Sequence, residues 1–154
     1  MTRKPKISVK PDSPIKATSI ADANTQLVLS YQYLCLNSKK YSMDEISDNR
    51  TRIGFYKDYF DKMTEYCSHE NFKKYIRENG RYRDRNHIHP IDWRDSRIKE
   101  SCFTSLNEDL MKQIQNDCWQ LGINNQTFRI HGFFIENVFY VVWIDPLHNL
   151  YAFK

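Results

Sequence analysis

The chain has 154 residues, enough for one domain whose core needs no disulfide staples. Hydrophobic residues make up 40% and charged residues 27%, with only four Gly and five Pro, which excludes collagenous and Pro/Gly-rich disordered chains. The net charge of +4 is uneven: residues 1–16 carry five Lys/Arg against one Asp, residues 73–99 carry nine against four, and residues 100–154 carry three against six.

Residues 1–18 hold Pro5, Pro11 and Pro14 among Lys and Ser and predict a flexible basic arm. Residues 19–154 then form a single α+β domain. No apolar run is long enough to span a membrane, and no apolar stretch backs the basic start, so a cytoplasmic protein without a secretory signal is expected. Strict alternation over QLVLSYQYLCL (26–36) predicts an N-terminal strand. Ile53, Tyr56, Phe60, Met63 and Cys67 then fall at spacings 3, 4, 3, 4, which predicts an amphipathic helix over 52–67 with Thr51 as N-cap. Ser68 caps a second helix through Asn79, with Phe72, Tyr75 and Ile76 inward and Gly80 as its left-handed stop.

Pro90 bars a helix through the middle of 81–99, which reads as an ordered loop with room for a short strand. Ser105-Leu106-Asn107-Glu108 is a capping box that opens a third helix, with Leu106, Leu110 and Ile114 along one side. Strands follow at 118–123, 128–135 and 138–145, the last two joined by Glu136-Asn137 as a hairpin. Pro146 stops the third, and 150–152 suggests a short edge strand. The expected architecture is therefore an N-terminal strand, two to three helices and a C-terminal antiparallel β-meander.

A two-residue turn sets Ile135 opposite Val138, Phe133 opposite Tyr140, His131 opposite Val142 and Arg129 opposite Ile144. The other face, with Phe128, Ile130, Gly132, Phe134, Phe139, Val141 and Trp143, packs on the helices; Gly132 marks a bulge or a close approach. The first face displays Arg129, His131 and Tyr140, a set that suits RNA cleavage by the 2′-OH without a metal or any other cofactor. Arg steadies phosphate charge, His transfers protons near neutral pH, and Tyr donates a proton or stacks on a base. Against this stands a plain sheet surface with a satisfied His and an ion-paired Arg.

His87 and His89 share one side of an extended segment and could ligate a metal with Asp92 or Asp95, but HPIDW reads better as a structural turn whose Trp93 plugs the core. No metal site is expected. Arg81, Arg83 and Arg85 line one side of the same segment with Tyr82 between them, and Arg94 and Arg97 extend the basic stretch; these are the candidate phosphate contacts. Cys35, Cys67, Cys102 and Cys118 show no zinc spacing and read as reduced thiols.

The tail FRIHGFFIENVFYVVWIDPLHNLY (128–151), with HPIDW upstream (89–93), resembles small proteins of bacteria, prophages and mobile elements. The order of helices followed by a meander is similar to the RelE/ParE-like toxin superfamily. That resemblance implies a compact α+β fold with an antiparallel sheet and ribosome-associated mRNA cleavage. Carried onto this chain, it points to Arg129, His131, Tyr140 and Tyr151 as site residues, with His148 as a further candidate. The partners implied are RNA or the ribosome. Two rivals stand beside this reading. One is a non-catalytic phage or mobile-element factor that binds a host or defence protein, which the aromatic content suits, an antitoxin being the protein partner that a toxin would take. The other is a simple nucleic-acid-binding module built on 73–99.

Overall fold

The computed structural model describes residues 26–151. The expected basic arm at 1–18 lies outside them. The fold is α+β: four α-helices and a five-stranded mixed sheet are present among the described residues. The strands are β1 (Val28–Ser30), β2 (His89–Pro90), β3 (Cys118–Gly122), β4 (Arg129–Ile135) and β5 (Val138–Asp145). Their spatial order is β1-β5-β4-β3-β2, with β1 parallel to β5 and every other pair antiparallel. The helices are α1 (Asn49–Ser68), α2 (Phe72–Glu78), α3 (Gly80–Arg85) and α4 (Glu108–Ile114). No helix among the described residues is long and apolar enough to cross a membrane.

The sheet is covered on both faces, which explains why β3 to β5 are almost continuously apolar rather than cleanly alternating. One face packs Ile130, Phe134, Phe139 and Val141 against Phe55, Tyr59, Met63 and Tyr66 of α1 and Phe72 and Ile76 of α2. The opposite face packs Phe133, Val142 and Trp143 against Tyr41, Ile91, Ile98, Phe103 and, from α4, Met111 and Ile114.

α1 is the helix that the periodicity predicts, but it turns a different side inward. Phe55, Tyr59, Met63 and Tyr66 are buried, whereas Ile53 and Phe60 are 69% and 66% exposed and Tyr56 is also exposed. Two apolar stripes run along this helix, and the more aromatic one takes the core. Asp48, not Thr51, is the N-cap; its carboxylate accepts from the backbone N–H of Arg50 and Thr51. The second predicted helix starts later than expected, because Ser68 ends α1 instead of capping the next helix, and α3 forms where the sequence reads as a loop. Asn71, at φ 51°, precedes α2, and Gly80 opens α3 instead of closing a helix. α3 therefore places Arg81, Arg83 and Arg85 on a helix, where i, i+2 and i+4 do not share one side as they would in an extended segment. α4 starts two residues late for the capping box: Asn107 is the N-cap and accepts from Leu110 N at 2.8 Å.

The hairpin at Glu136-Asn137 forms as expected, with Glu136 in the left-handed region at φ 51°. The register agrees from Ile135↔Val138 to Phe133↔Tyr140 and then shifts at Gly132, so that His131 faces Trp143 and Arg129 faces Asp145. Val142 is the extra residue of a β-bulge. Its carbonyl accepts from Cys35 N at 2.9 Å instead of from β4. The bulge moves Trp143 to the face opposite α1 and α2 and gives Ile144 the α1 side. It also limits the N-terminal strand: β1 ends at Ser30↔Tyr140, and residues 31–36 turn along the bulge rather than extending. At the C-terminal end, Leu150 and Tyr151 are buried in a turn and not in an edge strand.

Gly132 is needed because a Cβ there would lie 2.0 Å from the carbonyl oxygen of Tyr140, a backbone atom that cannot move aside. Gly54, in the middle of α1, has nothing within 4 Å of the same position. Gly132→Ala should lose at least about 2 kcal/mol in urea denaturation through overpacking, whereas Gly54→Ala should gain about 0.5–1 kcal/mol from helix propensity.

Candidate functional site

Two cross-strand rows meet on the sheet face opposite α1. One is His89–Gln120–His131–Trp143, and the next is Gly122–Arg129–Asp145. Cross-strand partners point to the same side, so four strands bring polar side chains from distant segments into one patch. Gly122 completes it by absence. A Cβ there would fall 2.0 Å from the Asn86 carbonyl oxygen and 3.0 Å from His87 Cβ, so the bare glycine lets the α3–β2 connection lie against the sheet.

Gln120 ties the edge of the patch together. Its amide nitrogen donates to the His87 carbonyl at 3.1 Å and lies 3.0 Å from His89 Nε2. An amide nitrogen only donates, so His89 Nε2 accepts, and the ring proton sits on Nδ1, 3.0 Å from the Pro90 carbonyl. His89 is thereby held as the neutral tautomer.

At the centre, His131 Nε2 lies 3.0 Å from Asp145 Oδ2, and both side chains are fully buried. Asp145 also accepts from the backbone N–H groups of Asn149 at 2.7 Å and Leu150 at 2.9 Å. Burial works against ionisation of this carboxyl, but His131 and the two amides outweigh it and hold it below the usual carboxylate range. Arg129, 2% exposed, donates to the carbonyls of Asn124, Gln126 and Phe128 at 2.8–2.9 Å and so closes the loop between β3 and β4.

The turn that follows Asp145 brings the tail across this patch. The Tyr151 ring lies between His89, at 5.0 Å between centroids, and His148, at 6.0 Å. Arg97 sits over the Tyr151 ring at 5.3 Å and pairs with Asp95 at 2.6 Å. His87, His148 and Arg97 reach solvent, and His148 and His87 both adopt left-handed backbone at φ 57° and 53°. That conformation is costly for non-glycine residues, and such strain concentrates at functional sites.

The electrostatics are uniform across the patch. Burial lowers the pKa of His87, His89 and His148, and the Arg129 charge lowers each of them further. His148 falls to about 4 despite the opposing pull of Asp145. Burial and the Asp95 carboxylate push the Tyr151 hydroxyl up to about 12. At neutral pH the three imidazoles are therefore uncharged bases in a positive field. Three buried polar atoms of the same rows, Gln120 Oε1, Arg129 Nε and His131 Nδ1, have no hydrogen-bond partner among the described residues.

Of the residues predicted for catalysis, Arg129, His131 and Tyr151 come together. Arg129 and His131 form the buried floor of the patch and are not displayed on an open sheet face, because residues 40–41, 91–103 and the tail cover it. Tyr140 stands apart: its ring stacks on Phe133 at 5.0 Å and lies beside Tyr33 at 5.6 Å. His87 is not extended, so it does not share a strand side with His89. No three His, Cys, Asp or Glu side chains converge to hold a metal among the described residues. The four cysteines are free thiols. Arg94 and Arg97 are paired with Asp92 and Asp95, two residues before each. Gln120 and Asp145 escape a reading of the sequence because their roles depend on a register that the bulge displaces. The one sequence signal for Asp145 is its place directly before Pro146, at the end of an apolar strand.

Similarity to known proteins frames this site. A family model described as Uncharacterised protein UU032 matches residues 30–154, a span that includes every residue of the patch. No curated protein and no solved structure matches the chain.

Removing the Asp145 carboxylate leaves His131 and two backbone amides buried without an acceptor. Asp145→Ala should cost about 3–5 kcal/mol in urea denaturation. The histidines set a pH dependence. Their folded pKa values lie below the unfolded value of about 6.5, so below that pH the folded chain binds fewer protons than the unfolded one. Their contribution to stability is complete above that pH and is lost progressively towards pH 4. The urea midpoint should fall between pH 7 and pH 5, and His148→Asn, which tolerates the left-handed backbone, should flatten that slope.

Proposed function

We infer that this chain, which belongs to the family described as Uncharacterised protein UU032, is an RNA-directed, toxin-like endoribonuclease that cleaves through the RNA 2′-OH without a metal. One observation carries this reading: His87, His89 and His148 are held neutral by burial and by the Arg129 charge, beside the exposed Arg97. A field that suppresses imidazolium is one that favours an incoming anion. A phosphodiester seated over Tyr151 would offset the positive charge and raise the histidine pKa values towards those suited to proton transfer.

In this scheme His148, the partly exposed imidazole, accepts the 2′-OH proton as the 2′-oxygen bonds to phosphorus, and the bond to the 5′-oxygen breaks as that oxygen takes a proton from solvent water to leave as a hydroxyl. Arg97, from the surface, and Arg129, from the buried floor, stabilise the charge that develops on the phosphate oxygens. Tyr151 keeps its proton at neutral pH and donates a hydrogen bond. Gln120 positions His89, and the buried His131–Asp145 pair fixes the turn that carries His148 and Tyr151.

A second reading, non-catalytic binding of a host or defence protein, has its own support. A groove of about 440 Å³ runs between α1 and residues 31–44, with Tyr31, Leu36, Tyr56 and Phe60 on its rim and Phe55 and Tyr59 among its lining. Apolar exposure of this kind is typical of interaction surfaces.

The purified protein, incubated with single-stranded RNA in EDTA, should yield fragments ending in 2′,3′-cyclic phosphate. His148→Ala should slow cleavage by roughly 100-fold or more with an unchanged circular dichroism spectrum. Induced expression should arrest growth with the wild type and not with His148→Ala. Intact RNA together with normal growth in both strains would overturn the nuclease reading and favour the second one.

A further inference from the structure

We propose that the hollow between α2 and α3 is a subsite for unpaired nucleotides, which makes the substrate class single-stranded RNA. This inference rests on the RNA-directed reading above and extends it to a second surface. The hollow measures about 430 Å³ and is lined by Tyr75, Tyr82, Arg81 and Arg85, with Glu78, Asn79 and Gly80 completing the wall. It falls in the size range of small-ligand sites, about 300–1,000 Å³.

Two features distinguish it from an ordinary solvated patch. The first is the state of its arginines. Arg77, Arg94 and Arg97 are each paired with an aspartate. Arg81 and Arg85 are exposed with no carboxylate within 4 Å of either among the described residues, and the Arg85 guanidinium lies over the Tyr82 ring at 5.8 Å, which leaves Tyr75 as the stacking face. Glu78, the acidic group on the wall, is engaged with Lys74 at 3.9 Å.

The second is a preformed aromatic platform. Tyr75 stacks on His69 with ring centroids 4.3 Å apart, and Tyr82 stands edge-on to both at 5.0 and 5.1 Å. The Tyr82 hydroxyl donates to Glu65 at 2.7 Å, its oxygen lies 3.1 Å from His69 Nε2, and Lys62 pairs with the same Glu65 at 2.8 Å. These bonds lock the rings before any ligand arrives, so little ordering cost remains to be met on binding. Paired bases hide their faces inside the duplex, whereas aromatic platforms next to arginines without a carboxylate partner bind single strands through stacking and phosphate contacts.

The subsite is joined to the histidine patch through the chain itself. Arg85 ends α3, Asn86 caps it, and His87 follows directly into the patch over Gly122. A strand whose phosphates follow Arg81 and Arg85 is thereby led to His87 and His148.

The test is fluorescence anisotropy with a labelled 2′-O-methyl oligonucleotide, single-stranded or annealed to its complement. The 2′-O-methyl group removes the cleavage nucleophile, so binding is read independently of any nuclease activity. Wild type should bind the single strand at least 10-fold more tightly than the duplex. Tyr75→Ala should weaken single-strand binding roughly 10-fold. Arg81→Gln with Arg85→Gln should weaken it too and lower the salt slope by about 1.4, since each phosphate no longer neutralised removes about 0.7; Tyr75→Ala should leave that slope unchanged. Equal affinity for duplex and single strand, or unchanged binding in all these variants, would overturn the subsite. Cleavage of unmodified RNA with binding indifferent to Tyr75, Arg81 and Arg85 would reject the subsite and keep the nuclease. The predicted binding pattern without cleavage would do the reverse.

Discussion

The fold of the C-terminal half turns on one buried carboxylate. Asp145 ends β5 and receives His131 from β4 and two backbone amides from the turn beyond Pro146. A charge at zero exposure is tolerable only when its lone pairs are occupied, and here three donors occupy them. The same bonds that satisfy the charge fix the direction of the tail. Without them Leu150 and Tyr151 would have no reason to fold back over the sheet, and His148 and Tyr151 would not meet His89.

The meeting of Asp145 and His131 depends in turn on an interruption of the ladder. Had the hairpin kept its register, Arg129 would have faced Ile144 and His131 would have faced Val142. The extra residue at Val142 shifts the partners by one and places Asp145 in the row of Arg129. Gly132 is the sequence mark of that shift, legible as a bulge or close approach. The strand that carries the extra residue is not legible, because Val142 differs in no way from its apolar neighbours. Sheets buried on both faces lose the alternation that normally reports register. For this reason the three strands of the meander, its turn and the shared face of Arg129 and His131 could be read from the sequence, while the face assignment of Trp143 and the contacts of Gln120 and Asp145 could not.

The helices show the complementary limit. α1 has apolar residues across a broad arc of its circumference, so the 3, 4, 3, 4 spacing of Ile53, Tyr56, Phe60, Met63 and Cys67 and the parallel set Phe55, Tyr59, Met63 and Tyr66 are both consistent with a helix. Periodicity identifies the element and leaves its rotation open. Packing decided in favour of the set with the Tyr66 hydroxyl, which donates to the Gly122 carbonyl at 2.6 Å. That bond anchors α1 to the strand whose glycine admits His87, so the rotation of the helix and the assembly of the patch share an origin.

The distribution of charge gains a physical meaning from this arrangement. Residues 100–154 are acidic in sum, yet the field at the histidines is positive, because Arg129 is enclosed with only carbonyl oxygens as direct partners and its effect on His148 outweighs the opposing pull of Asp145. Carbonyl dipoles stabilise a guanidinium without cancelling its net charge, and low-dielectric surroundings carry that charge further than water would. Beside burial, which lowers the pKa values of His87, His89 and His148 most, the Arg129 charge lowers all three, across two separate segments of the chain. Net charge summed along a sequence is therefore a poor guide to the sign of a site; what counts is which charges the fold encloses closest to it.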